Sequence, residues 1–341
     1  MMENGSSTEK DGKIRCSETA KGGINNTDST PHARGNAANQ AGSSSFRPLP
    51  VATTFEQQLA KLEERGLYIG DEDFAIAKLK DLNYYRLRGY WLTLEREGRL
   101  VEGASFNDVW EIYQLDAGLR EWLWHAIAPI EVKLRTQFAY HLGNRCGVDA
   151  YLHLANFKNA HSHAAALKGF VRERDRAYRQ GVPCVIHNMD KYGRLPVWAA
   201  VEIMSLGTLS MLYGNLDPGA GRGDGDKGVA ALVASSFGTK PRYLGSWAHH
   251  LTTVRNIAAH HDRFYNRLMT IQPLMLRQDR AYAGAKQFPT LLIIKRIYER
   301  SWPEEWGYIA AELAALVDAH PGVDLAPMGF PAEWKGVLGL S

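Results

Sequence analysis

The sequence predicts an all-α protein, on three observations. Apolar residues recur at intervals of three and four almost everywhere beyond Thr54, capping and breaking residues bracket these runs, and no internal repeat or strand-turn-strand rhythm interrupts them. The length of 341 residues suits one large or two modest domains. Hydrophobic residues make up 45% and charged residues 23%, which excludes a wholly disordered or fibrous chain. Forty basic against 37 acidic residues leave a net charge of +3, so bulk charge gives no argument for nucleic acid, and a basic surface must come from local clustering.

Residues 1–47 are expected to form a disordered tail. The first 45 contain no Phe, Tyr or Trp, and Ser, Thr, Asn and Gly supply 22 of them, so they cannot bury enough surface to offset chain entropy. Pro48 and Pro50 mark the entry to the folded part. A small N-terminal helical unit is expected over residues 48–100. Phe55, Leu59 and Leu62 form one stripe between a Thr54 cap and a Gly66 stop. A second stripe runs from Asp71 through Phe74, Ala77 and Leu79 into the aromatic cluster Tyr84, Tyr85, Tyr90 and Trp91.

A larger helical core is expected over residues 101–335. Its spine starts at a Ser105 cap and steps through Phe106, Val109, Ile112, Leu115, Leu119, Leu123, Ile127, Ile130, Leu134, Phe138 and Leu142, with a bend expected at Pro129. A charged helix follows over His163 to Arg179, and its alternating charges fit a solvated face better than a nucleic-acid contact. Another opens at Pro196 and runs through Val201, Ile203 and Leu206. Residues 214–228 hold six glycines and read as a flexible loop; with no preceding strand and no following Gly-Lys-Ser/Thr they are not a phosphate cradle. Helical spacing resumes at Val229 to Phe237, from about Tyr243 to His261, at Thr290 to Tyr298 and at Pro303 to Val317; Leu291 to Ile294 alone has the look of a short strand.

No run reaches the roughly 18 to 20 apolar residues of a membrane span and the N-terminus lacks a leader, so a cytoplasmic protein without membrane contact is expected. Cys16, Cys146 and Cys184 lie far apart, which points to neither a disulfide framework nor a thiolate metal site.

The chemistry concentrates between Trp247 and Arg267. An apolar-periodic helix there carries Arg255, Asn256, His260 and His261. Asn256 and His260, four residues apart, share a face, so the amide can hydrogen-bond the imidazole and fix its tautomer and orientation. Arg255 is one position round, within reach of the same pocket. A guanidinium beside an oriented imidazole suits phosphodiester cleavage, in which a proton moves and negative charge builds on phosphate oxygens. A core histidine with a surface arginine is the alternative reading of the same residues.

Arg255-Asn-Ile-Ala-Ala-His260 resembles the R-x4-H motif of the HEPN superfamily of α-helical ribonucleases. Asn83–Trp91, Ile130–Thr136, Pro196–Trp198, Leu206–Leu209, Arg255–His261 and Met328–Pro331 with Trp334 occur in the order typical of Abi-like proteins, the AbiD/AbiF-type branch of bacterial abortive-infection proteins. This resemblance covers roughly residues 53–335. It implies a HEPN-type helical core, anti-phage defence by RNA cleavage, and in some members a toxin restrained by a noncoding RNA or antitoxin protein. Carried over residue by residue, Arg255 and His260 take the catalytic positions, Asn256 the polar position after the arginine, and His261 an accessory one. The resemblance also implies a homodimer with the site between facing helices. The implied reaction needs neither cofactor nor metal: the 2′-hydroxyl attacks the adjacent phosphate, leaving a cyclic phosphate and a 5′-hydroxyl, which demands RNA.

Other polar residues keep two readings. Glu131 and Arg135 form either a helix salt bridge or a support for the site. Tyr85, Arg86 and Arg88 interleave a ring with guanidinium groups and either bind RNA or dock the N-terminal unit. Arg263 and Arg267 extend positive potential past the motif, either as phosphate contacts or for solubility alone. Counting His161, His163, His249 and His250 with the motif histidines allows a metal hydrolase, although no HExxH-like spacing supports it. A non-catalytic RNA-binding module or toxin–antitoxin component is the functional alternative.

Overall fold

The computed structural model describes residues 49–340 apart from 98, 224 and 225, and it is all-α as expected. The tail expected over 1–47 lies outside the described residues. Helix α1 (Phe55–Glu63) starts at a reciprocal cap: the Thr54 hydroxyl accepts the Gln57 N–H at 3.2 Å, and the Gln57 side chain accepts the Thr54 N–H at 3.0 Å. The second stripe is two helices rather than one, α2 (Glu72–Asp81) and α3 (Tyr84–Trp91). Leu82 is extended, and the Asn83 side chain caps α3 by accepting the Tyr85 N–H at 2.8 Å. A departure from the strand-free expectation follows, a minimal antiparallel hairpin of β1 (Glu95–Arg96) and β2 (Arg99–Leu100).

The spine, α4 (Phe106–Cys146), has 41 residues and therefore runs about 60 Å. Ser105 and Asp108 cap it reciprocally, and it continues through Pro129. Beyond it come α5 (Ala160–Arg179), starting three residues earlier than its charge pattern indicates under an Asn159 cap, and α6 (Pro183–Tyr192). The helix expected from Pro196 is also divided, into α7 (Val197–Ile203) and α8 (Leu206–Asn215). Met204 is extended between them, and the Ser205 hydroxyl caps α8 by accepting the Thr208 N–H at 3.1 Å.

The glycine-rich segment returns to the end of α4, where Arg145 pairs with Asp226 at 2.5 Å. Gly221 there has φ +64°, and a Cβ would lie 2.6 Å from that of Arg145, so a side chain fits neither the backbone nor the space. Among the described residues, four α-helices follow α9 (Val229–Ser236): α10 (Pro241–Ala259), α11 (Phe288–Ser301), α12 (Pro303–Asp318) and α13 (Trp334–Leu338). Leu291 to Ile294 is helical. All four of its side chains are buried, because α11 is covered on every side along this stretch, and total burial erases the helical period. The core forms where α10 packs against α4 and α8, with α7, α9, α11 and α12 also set against α4.

Candidate functional site

Helix α10 begins with Pro241 at its first turn and buries Leu244, Trp247, Leu251, Val254, Ile257 and Ala258. It stops at Ala259, two residues short of the sequence expectation. His260 is the cap (φ −97°, ψ 8°), and His261 turns left-handed with φ 55°. Two main-chain bonds close the end, His261 N–H to Ala258 O at 3.2 Å and Asp262 N–H to Ile257 O at 2.9 Å, the Schellman pattern with histidine in the usual glycine place. The Arg86 guanidinium donates to the His261 carbonyl and helps hold that conformation.

This ending corrects the expected Asn256–His260 pair. The two are joined through the main chain, His260 N–H to Asn256 O at 3.0 Å, and no side-chain bond links them among the described residues. With His260 off the helix, the one-face argument from four-residue spacing fails. Both residues are exposed, as is His261.

Arg255 is half-buried and held from two sides. Its Cζ lies 4.9 Å from the centroid of the Trp124 ring, and its Nε lies 3.4 Å from Glu131 Oε2. That Nε is buried and makes no hydrogen bond among the described residues, so the contact is ionic rather than directed. Glu131 also pairs with Arg135, whose guanidinium donates to the Val201 carbonyl and, at 2.7 Å, to that of Met204. The helix salt bridge therefore exists, and its carboxylate reaches Arg255 as well.

A cavity of about 400 Å³ opens between α4 and the end of α10. Ala117, Arg120, Glu121 and Trp124 line one side, and Ala258, Ala259 and His261 the other. Arg255 is not among the lining residues but stacks on Trp124, which is.

The flanking candidates divide by surroundings. Tyr85 and Arg88 are exposed. Arg86 is spent on His261, which ties α3 to the motif. Arg263 donates to the Tyr265 carbonyl at 2.8 Å and lies against Gly89, where a Cβ would stand 2.9 Å from its Nε. Arg267 is partly exposed and 3.6 Å from Asp262.

Sequence reasoning missed Asp116, a fully buried carboxylate on α4 that organises this region. It accepts the Tyr90 hydroxyl at 2.8 Å, the Arg120 guanidinium, and the main-chain N–H groups of Phe264 and Tyr265 at 3.1 and 2.6 Å. Burial pushes its carboxyl above the ordinary range, opposed by Arg120 and the other donors. The available signal was an acidic residue beside Ile112, Leu115 and Leu119 on a buried stripe, four residues before an arginine.

The remaining histidines are dispersed. His250 is fully buried: Nδ1–H donates to the Ile271 carbonyl at 2.5 Å, Nε2 accepts from the Thr290 hydroxyl at 2.8 Å, and burial lowers its pKa to about 4. His163 is stacked on Phe157 and bonded to the Tyr151 carbonyl. Among the described residues, no three His, Cys, Asp or Glu side chains gather to hold a metal ion. No helix among these residues is long and apolar enough to cross a membrane.

The family described as Abi-like protein matches residues 77–266, more than half of the chain. The match runs from within α2 to just past the Arg255–His260 motif and is narrower than the 53–335 expected from the sequence blocks; Met328–Pro331 and Trp334 lie beyond it. No curated protein and no solved structure matches the chain.

Proposed function

This chain belongs to the Abi-like protein family, and from that membership we propose that it serves in bacterial abortive infection as a metal-independent HEPN-type endoribonuclease of the AbiD/AbiF kind. The observation that carries this reading is the setting of Arg255: a guanidinium steadied by Trp124 and Glu131, at the end of a helix whose next turn exposes His260 and His261. A preorganised cation loses little freedom on meeting a phosphate.

The proposed step balances without a cofactor. One imidazole takes the proton of the ribose 2′-hydroxyl, whose oxygen bonds to the adjacent phosphorus. The bond to the 5′-oxygen breaks, and that oxygen takes a proton from a second group. Arg255 offsets the charge on the phosphoryl oxygens. Two separate proton-transfer groups favour a homodimer, in which α10 helices from two copies supply arginines and imidazoles to one cleft. Arg88, Tyr85 and Arg267 are the flanking residues best exposed to follow the RNA backbone. A restraining noncoding RNA or antitoxin belongs to the same proposal.

A second reading, an RNA-holding module without cleavage, draws on one observation: no side-chain hydrogen bond joins Arg255, Asn256 and His260 among the described residues of a single copy. Expression of wild type, Arg255→Ala and His260→Ala in bacteria, followed by mapping of cellular RNA ends, separates the two. The nuclease reading expects new 5′-hydroxyl ends with wild type alone. Identical ends in all three strains would leave the binding module.

A further inference from the structure

We propose that the cavity between α4 and the end of α10 is a nucleobase subsite that selects guanine, set beside the phosphate-handling groups. The inference rests on the RNA-directed reading above and deepens it.

The space exists because Ala258 and Ala259 face α4 with no more than a methyl group each, opposite Ala117. At about 400 Å³ it falls in the range of small-molecule sites. Its walls suit a flat heteroaromatic ring. Trp124 is 47% exposed, and it lines this cavity while Arg255 stacks on its ring. An unpaired base inserted here gains the aromatic contact on which recognition of single-stranded RNA generally depends.

The polar groups choose among bases. Arg120 is 6% exposed and lines the cavity; one of its terminal nitrogens, Nη1, serves Asp116 and Tyr90, and its other N–H groups make no hydrogen bond among the described residues. N–H groups of a fixed guanidinium that open on the cavity can donate to an acceptor placed there. Glu121, next in the chain, lines the same cavity with a carboxylate that has no partner among the described residues. A carboxylate accepts and does not donate, so it matches the adjacent N1–H and N2–H donors of guanine. The guanidinium matches guanine O6 or N7. Uracil and cytosine set a ring acceptor or carbonyl against the carboxylate, and adenine offers one donor group beside an unprotonated nitrogen.

The experiment is calorimetric titration of the full chain with guanosine, adenosine, cytidine and uridine monophosphates, alongside cleavage of RNA oligonucleotides that differ at one base. Guanosine monophosphate is expected to bind about tenfold more tightly than the other three. Glu121→Gln is expected to erase that preference, and Ala259→Phe, which fills the cavity, to abolish binding of all four; circular dichroism checks that both variants fold. Cleavage of RNA without preference and without guanine binding would overturn the subsite and leave the nuclease reading standing. Guanine binding without RNA cleavage would keep the subsite and remove the nuclease. Equal binding of all four nucleotides, or preference for another base, would overturn the assignment to guanine.

Discussion

The Asp116 carboxylate accepts the main-chain N–H of Tyr265 at 2.6 Å, joining positions 149 residues apart. Through the same carboxylate, α3, α4 and the chain that follows the motif share one buried anchor. Every partner is a donor, so the anchor requires an acceptor-only group. Asp116→Asn sets an amide donor against these donors and leaves Arg120 uncompensated. It is expected to cost about 3 kcal/mol of stability, measured by urea denaturation. A change of under about 0.5 kcal/mol would show that the network is dispensable.

His250 makes stability depend on pH in a stated direction. Its pKa is about 4 in the folded chain and about 6.5 when unfolded, so on acidification the unfolded chain takes up the proton first. Stability from this group is full above about pH 6.5 and is lost as pH falls towards 4, by roughly 3 kcal/mol at the limit. Denaturation curves across that window should show the slope, and His250→Asn, which cannot titrate, should flatten it.

Glu131→Gln removes the charge that faces both Arg255 and Arg135. Arg135 keeps its bonds to the Val201 and Met204 carbonyls, so the fold should hold. Arg255 loses its ionic partner, and RNA cleavage is expected to fall by up to about a hundredfold through misplacement alone. An unchanged rate would mean that Trp124 stacking suffices to place the guanidinium.

His261 occupies a left-handed position that glycine adopts without steric cost. His261→Gly relieves about 1–2 kcal/mol of strain and adds about 0.5–1 kcal/mol of chain entropy, for a net gain of about 0.5 kcal/mol. The Arg86 bond is to the main-chain carbonyl and survives the change. A rise in melting temperature together with a fall in cleavage would separate the functional use of this imidazole from its structural effect.

The sequence revealed what repeats locally. The stripe of α4 and the buried face of α10 have periods long enough to be read, and Arg255 and His260 stood out as polar residues on an apolar-periodic segment. Breaks decided by a single cap, at Asn83 and at Ser205, leave the apolar spacing on either side uninterrupted and are not legible from it. The end of α10 is not legible in the sequence because no glycine or proline marks it; a left-handed histidine stands there, tied to Arg86 from 175 positions away. Trp124, Glu121 and Asp116 come to the motif from α4, more than a hundred residues earlier, and no local pattern announces such a meeting.

The most direct measurement is cleavage of single-stranded RNA by the purified chain in excess EDTA, with product ends identified and Arg255→Ala and His260→Ala run in parallel. The account predicts cyclic-phosphate and 5′-hydroxyl ends from wild type, no cutting of a substrate with 2′-deoxy sugars, and loss of activity in both variants. Cleavage that requires an added divalent metal, or that persists in the His260→Ala variant, would contradict it.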